Sequence, residues 1–224
     1  MIVVIDASTT GCSVALVVDH KVLASLTSRK DRSSAENLTL MIGEVLRLGG
    51  ATYQDLKAVA VAQGPGSYTG LRIAVSTAKG LAYGLSLPLI SYGTLPSLCY
   101  QVPYADGIDL FCPMIDARRM EVFCGFYNSI TVEEVFPVEA VLVDNQSFQS
   151  ILDSNKVLFL GEGSGKCRDV IHHPNAVFLN TELYPVAEFA CKVVSEKFEK
   201  GFFEDLVTFE PFYLKEYMFK TKSL

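Results

Sequence analysis

Two related α/β lobes are the fold that the sequence predicts, and three observations predict it. Short apolar runs of strand type alternate with stretches of helical periodicity. The order of those elements roughly repeats from about residue 105, less regularly the second time. The 224 residues are 50% hydrophobic and 20% charged, a balance that excludes a disordered chain and lets roughly 70% of the unfolded surface be buried.

Ile2 to Ile5 reads as a buried strand that ends at Asp6, which also argues against a signal peptide at the start. Ser13 to Val18 and Val22 to Thr27 follow, joined by turns short enough to make an antiparallel meander. The period then changes. Leu38, Met41, Ile42, Val45 and Leu46 recur at helical spacing after a Ser33-Ser34 start signal, and Gly49-Gly50 stops the helix. Leu56 to Ala62 is a buried strand, about Gly70 to Gly84 a second helix, Pro88 to Ile90 a strand and Thr94 to Tyr100 a short helix. The second set holds strands at Leu110–Ile115, Glu121–Tyr127, Val132–Phe136, Val157–Leu160 and Ala176–Leu179. Helices are expected at Ser147–Leu152 and Val186–Phe198. The lobes divide near Pro103 to Gly107: residues 1–103 form the first, 104–199 a smaller second, and the segment from about 200 to 224 is allowed to return to the first.

Charge sets one region apart. Between Ala58 and Ala105 the only charged residues are Arg72 and Lys79. On a helical wheel Leu71, Ala74, Val75, Ala78, Leu81 and Ala82 share one broad face, Thr77, Gly80 and Gly84 a second face of small residues, and Arg72, Ser76 and Lys79 a polar strip. The first helix also has a wide apolar arc, with Leu40 projecting opposite Leu38. Either the two helices pack only on each other, or they form an intermolecular seam.

Evidence for catalysis is thin. The six cysteines form no C-x-x-C pair and read as buried thiols in a reducing compartment. The three histidines, His20, His172 and His173, make no metal-binding or triad pattern. Gly64-Pro-Gly66-Ser-Tyr-Thr-Gly70 follows a strand and opens a helix, so its amides could cradle an anion. It is neither a dinucleotide fingerprint nor a Walker A loop, and Gly161-Glu-Gly163-Ser-Gly165-Lys166-Cys167 also fails as one. Asp6, Ser8 and Thr9 at a strand end, with Ser13, suit a phosphate or water-held Mg²⁺, but on spacing alone an Asx or Ser/Thr turn closing the hairpin explains them better. Asp116, Arg118, Arg119 and Glu121 read as a salt-bridged turn. The formal net charge of −6 and sequence pI of about 5.1 argue against gripping nucleic acid by charge alone. No apolar run is long enough to span a bilayer, and the chain is expected to be cytoplasmic.

The run Gly64-Pro-Gly-Ser-Tyr-Thr-Gly-Leu-Arg-Ile-Ala-Val-Ser-Thr-Ala-Lys-Gly-Leu-Ala-Tyr-Gly84 closely resembles the signature of the TsaB (YeaZ) family. Ile5-Asp6-Ala-Ser8-Thr9 with Cys12 to Ala15, Asp116-Ala-Arg118-Arg119 with Glu121-Val122, Leu160 to Gly163, and Pro211 to Lys215 match in the right order. Ser34 and Leu40 stand where family members often carry a histidine and a proline. The resemblance implies a two-lobed actin/Hsp70/sugar-kinase-like fold with a reduced second lobe. It also implies a part in forming threonylcarbamoyladenosine beside the tRNA anticodon. Catalysis and metal would belong to a TsaD paralogue, with a TsaE-like ATPase joining and tRNA reached indirectly through the complex. No cofactor is expected on this chain, ATP and Mg²⁺ being left to the partner subunit or the interface. The family's homodimer and its competing TsaD heterodimer map onto roughly Ser34 to Leu48 and Gly70 to Gly84. The expected interface residues are therefore Leu38, Met41, Ile42, Val45, Leu71, Ala74, Val75, Ala78, Lys79 and Ala82. Asp6, Ser8, Thr9 and Ser13 are expected to form a vestigial nucleotide loop. The rival readings are an ATP-dependent transferase or kinase on the same fold and, more remotely, a metallopeptidase.

Overall fold

The computed structural model describes residues 1–29, 34–103 and 106–214, with backbone alone at 34–36. Ser33 of the start signal and residues 104–105 of the expected lobe boundary lie outside the described residues. The first sheet holds β1 (Ile2–Asp6), β2 (Cys12–Val18), β3 (Lys21–Ser28), β4 (Ala58–Gly64) and β5 (Leu89–Gly93), in the order β3-β2-β1-β4-β5. β1, β2 and β3 form the antiparallel meander, and β4 and β5 add in parallel. The second sheet holds β6 (Leu110–Asp116), β7 (Glu121–Asn128), β8 (Glu134–Leu142), β9 (Val157–Leu160) and β10 (Ala176–Phe178). Its order, β10-β9-β6-β7-β8, is that of the first sheet read from the other edge, with the same antiparallel and parallel partners. The repeat expected from the sequence is thus a repeat of strand order in a two-lobed α/β architecture.

Alternation along the strands decides what covers each face. Val3, Ile5, Val14, Leu16, Val59 and Val61 point one way, into a core with α1 (Ser34–Leu48) and α2 (Tyr68–Leu85). Ile2, Val4, Ala15, Val17, Ala58, Ala60 and Ala62 point the other way, as a period of two requires. The alanines keep that second face shallow, and Ala187, Ala190, Cys191 and Val194 lie against it. These residues belong to a 3-10 turn, Ala187–Ala190, and to α5 (Cys191–Glu199). The single helix expected over Val186–Phe198 is therefore two pieces. They cover the first sheet, although sequence order had placed residues up to 199 in the second lobe.

The described residues after 200, up to 214, also return to the first lobe: Leu89 bridges Glu204, and the Phe212 amide donates to the Gln63 carbonyl at 2.8 Å. α3 (Thr94–Cys99) joins the lobes, because its Leu95, Leu98 and Cys99 pack with Phe111, Ile115, Leu158 and Leu160 of the second sheet. The other face of that sheet packs on Leu152 of α4 (Gln149–Leu152), with Cys167 and Ile171. The third strand of this lobe runs over Glu134–Leu142 rather than Val132–Phe136. Pro137 suggests an end there, but β8 is an edge strand, where a missing amide donor is tolerated.

Candidate functional site

At the end of β1, Asp6 is turned inward and only 2% exposed. Its Oδ1 accepts the Ser8 amide at 2.9 Å and the Ser8 hydroxyl at 2.6 Å, and the Tyr92 hydroxyl lies 3.1 Å from its Oδ2. Burial pushes the Asp6 carboxyl above its ordinary pKa, against the opposing bonds from Ser8 and Tyr92. Ser13 faces elsewhere, its Oγ accepting the Ala187 amide at 2.8 Å, so it fixes the segment leading into α5. Thr9 stays beside Asp6: with Asp6, Thr10, Arg29 and Tyr184 it lines a cleft of about 10 Å³, room for about one water.

The glycines after β4 explain why this loop sits so close to α2. The Ser67 amide donates to the Ser8 carbonyl at 2.6 Å. A Cβ on Gly66 would stand 2.1 Å from Ser8 O, and one on Gly70 2.0 Å from Ala7 O. Ser67 caps the helix, its Oγ accepting the Gly70 amide at 3.3 Å. The place at the helix N-terminus where a phosphate would rest is filled by the chain's own carbonyls. A nucleotide with its Mg²⁺, the group that the family resemblance raises here, does not fit these residues, since acceptors would face the acceptors of a phosphate and the Asp6 carboxylate is already bonded.

In the second lobe the counterpart of this loop is the β6–β7 hairpin. Lys166 reaches it from the loop after β9, its Nζ donating to Asp116 Oδ1 at 2.5 Å and to the carbonyls of Arg119 and Glu121, each at 2.7 Å. Gly161 and Gly163 allow this approach, because Cβ atoms there would lie 2.5 and 2.8 Å from the β6 backbone. Burial pushes Asp116 up, but the bonds from Lys166 and the Arg118 amide hold it below the ordinary carboxylate value. Glu162 beside it goes the other way: burial, then Asp116 and Glu182, raise it to about 7. Among the described residues no group of three His, Cys, Asp or Glu side chains is placed to hold a metal ion.

The helix pair has two faces. Leu38, Ile42, Val45, Leu71, Ala74, Val75, Ala78 and Ala82 are at most 4% exposed and face the first sheet, with Met41 half-buried against the same core. Lys79 reaches sideways, its Nζ 3.4 Å from the Val207 carbonyl. The residues expected at a partner interface are therefore mostly the chain's own core, because a sheet face of Val, Ile and Leu requires the richest apolar stripe that the helices carry. Away from that core α1 exposes Leu40 and Leu48, and α2 exposes Tyr83 together with Ser76, Gly80 and Gly84. Tyr83 is 81% and Leu40 71% exposed.

Residues 21–223 match the family model described as TsaD: tRNA N6-adenosine threonylcarbamoyltransferase. The chain is 31% identical over 222 residues to tRNA threonylcarbamoyladenosine biosynthesis protein TsaB of Escherichia coli (strain K12), covering 96% of this chain and 94% of that one. The chain belongs to the TsaB family. A solved structure described as YeaZ from Pseudomonas aeruginosa superposes with a TM-score of 0.80 at 26% identity, covering 95% of this chain and 99% of that one. TsaB proteins are related to the transferase itself: 59 residues, 26% of this chain, are 42% identical to the tRNA N6-adenosine threonylcarbamoyltransferase of Bacillus subtilis (strain 168), of which they span 17%.

For this TsaB-family chain the wheel separated two helix faces, and the structure buries against the first sheet the one that had been expected at a partner. Leu40, standing opposite Leu38, was the sequence signal for the outer face. Tyr83 carried no such signal, since an aromatic beside glycines reads equally well as core.

Proposed function

We propose that this chain is a non-catalytic subunit, working in the cytoplasm, that pairs with a TsaD-type transferase in forming threonylcarbamoyladenosine on tRNA. Without that partner the same surface pairs two copies of the chain, and a TsaE-like ATPase joins the assembled complex. The observation that carries this reading is the outer face of α1 and α2. Leu40, Leu48 and Tyr83 project from it at 71%, 51% and 81% exposure. On α2 Gly80 and Gly84 leave open space, where a Cβ would meet nothing within 4 Å. Apolar knobs beside glycine hollows suit a second helix pair. A TsaD-type chain is the natural source of one, because the family model matching residues 21–223 is the transferase's own. The loop at Asp6, closed by the carbonyls of Ala7 and Ser8, supports leaving the chemistry to that partner.

The test is pull-down and light scattering of the purified chain with its cognate TsaD, followed by mass-spectrometric detection of the modified nucleoside with each component omitted. Leu40→Glu with Gly84→Glu should leave the circular dichroism spectrum unchanged. The pair should weaken by on the order of a hundredfold, as hot-spot losses do. Full retention of binding by this variant would refute the outer face as the seam.

A further inference from the structure

The β6–β7 hairpin holds two arginines for which the fold has no use. Arg118 and Arg119 occupy the turn between Ala117 and Met120, both in the left-handed region, at φ 73° and 52°. Two consecutive positive φ values make a turn that Asn-Gly fills without strain. A longer side chain there costs about 1 kcal/mol or more per residue. A hairpin that needed only to turn would be more stable with another sequence.

The turn is also braced from below. The Arg118 amide donates to Asp116 Oδ1 at 2.7 Å, the Ala117 amide to the Glu121 carbonyl at 3.0 Å, and the Glu121 amide to the Arg118 carbonyl at 3.1 Å. Lys166 binds the Asp116 carboxylate and two turn carbonyls, so the nearest acid is already engaged. Both arginines are exposed, and among the described residues neither guanidinium has a hydrogen-bond or ion-pair partner. Each of the other described arginines has a contact for its guanidinium: Arg29 lies over the Tyr184 ring, Arg47 pairs with Glu44, Arg72 donates to Tyr213, and Arg168 donates to the Leu179 carbonyl. The nearby acids are Asp116, Glu121 and Glu162, the last half-buried and raised towards neutrality.

We propose that Arg118 and Arg119 form a rigid, two-guanidinium contact for backbone phosphates of the tRNA held by the assembled complex. Guanidinium groups bind phosphate oxygens through paired N–H donors. A fixed turn presents them without the ordering entropy of a mobile loop. RNA is favoured over an acidic protein because two adjacent forks on an exposed turn suit a repeating line of phosphates. The inference rests on the subunit role proposed above, and it adds a direct RNA contact to an indirect one.

The experiment titrates a fluorescent, unmodified tRNA transcript with the complex of full-length chain and TsaD, over a series of salt concentrations. Complex formation is measured first, without RNA. Arg118→Ala with Arg119→Ala should assemble with TsaD as the wild type does, then bind tRNA on the order of tenfold more weakly. Its salt slope should fall by about 1 to 2, the loss of up to two phosphate contacts. The Arg118→Lys, Arg119→Lys variant should recover most of the slope. An unchanged affinity and slope would overturn the proposal. So would a loss appearing in TsaD assembly instead, which would mark the tip as a protein contact. If the wild-type chain forms no complex, the subunit role fails, and this contact fails with it at that earlier step.

Discussion

Ser8 and Ser67 are joined by a 2.6 Å hydrogen bond from the Ser67 amide to the Ser8 carbonyl, and this bond closes the loop after β1 onto the start of α2. It turns a glycine-rich segment of phosphate-loop appearance into a backbone-on-backbone contact. Gly66 and Gly70 are needed for proximity.

Gly66→Ala and Gly70→Ala should each destabilise the chain by about 3 kcal/mol, because the new methyl would meet backbone oxygen near 2 Å and not a side chain able to swing aside. Gly80→Ala is the control. Its Cβ enters open space on the same helix, so it should stabilise the isolated chain by about 0.5–1 kcal/mol. Thermal denaturation of the three variants gives the answer, and similar melting temperatures for all three would contradict the close approach.

Val75 and Ala78 carry the sharpest consequence of the helix orientation. Both face the first sheet, at 4% and 0% exposure. Val75→Asp and Ala78→Glu should each cost on the order of 4 kcal/mol by burying an unpaired carboxylate, and should leave the chain unfolded or aggregated. Recovery of either variant as a folded monomer, with native circular dichroism and loss of TsaD binding alone, would return these residues to the interface.

Glu162 should make stability depend on pH. Its carboxyl titrates at about 7 in the folded chain and at the ordinary 4.5 when unfolded. Between those values the folded state holds a proton that the unfolded state has released. The contribution is therefore fully present below about pH 4.5 and is lost as pH rises through about 7. Glu162→Gln cannot ionise, so it should be more stable than wild type at pH 8, by about 1–2 kcal/mol once solvent screening of this partly open group is allowed for. Near pH 4.5 the difference should vanish. Urea denaturation at both pH values measures this, and an equal gain at the two would assign the effect to packing.

Much of the fold was legible because it depends on local pattern. The continuous run Ile2–Ile5, the period of α1 and the punctuation at Gly49-Gly50 each report a constraint carried by neighbouring residues. The strand through Pro137 was not legible, since only its place at the edge of the sheet makes proline acceptable there. The split of Val186–Phe198 into a 3-10 turn and α5 was hidden for a similar reason. Its apolar positions fit one helix, and only the alanine-lined face of the first sheet shows what they cover.

The sequence by itself determined that two α/β units repeat, that Ala58 to Ala105 is unusually poor in charge, and that the family is TsaB's, through residues Gly64 to Gly84. Only the tertiary structure decided which stripe of each helix is core and which is exposed, that Asp6 is already bonded, and that Lys166 engages Asp116, so that among the described residues Arg118 and Arg119 have no ion-pair partner. Periodicity records that a helix has faces. Assigning those faces requires the sheet against which one of them is buried, and that sheet is assembled from strands far apart in the chain.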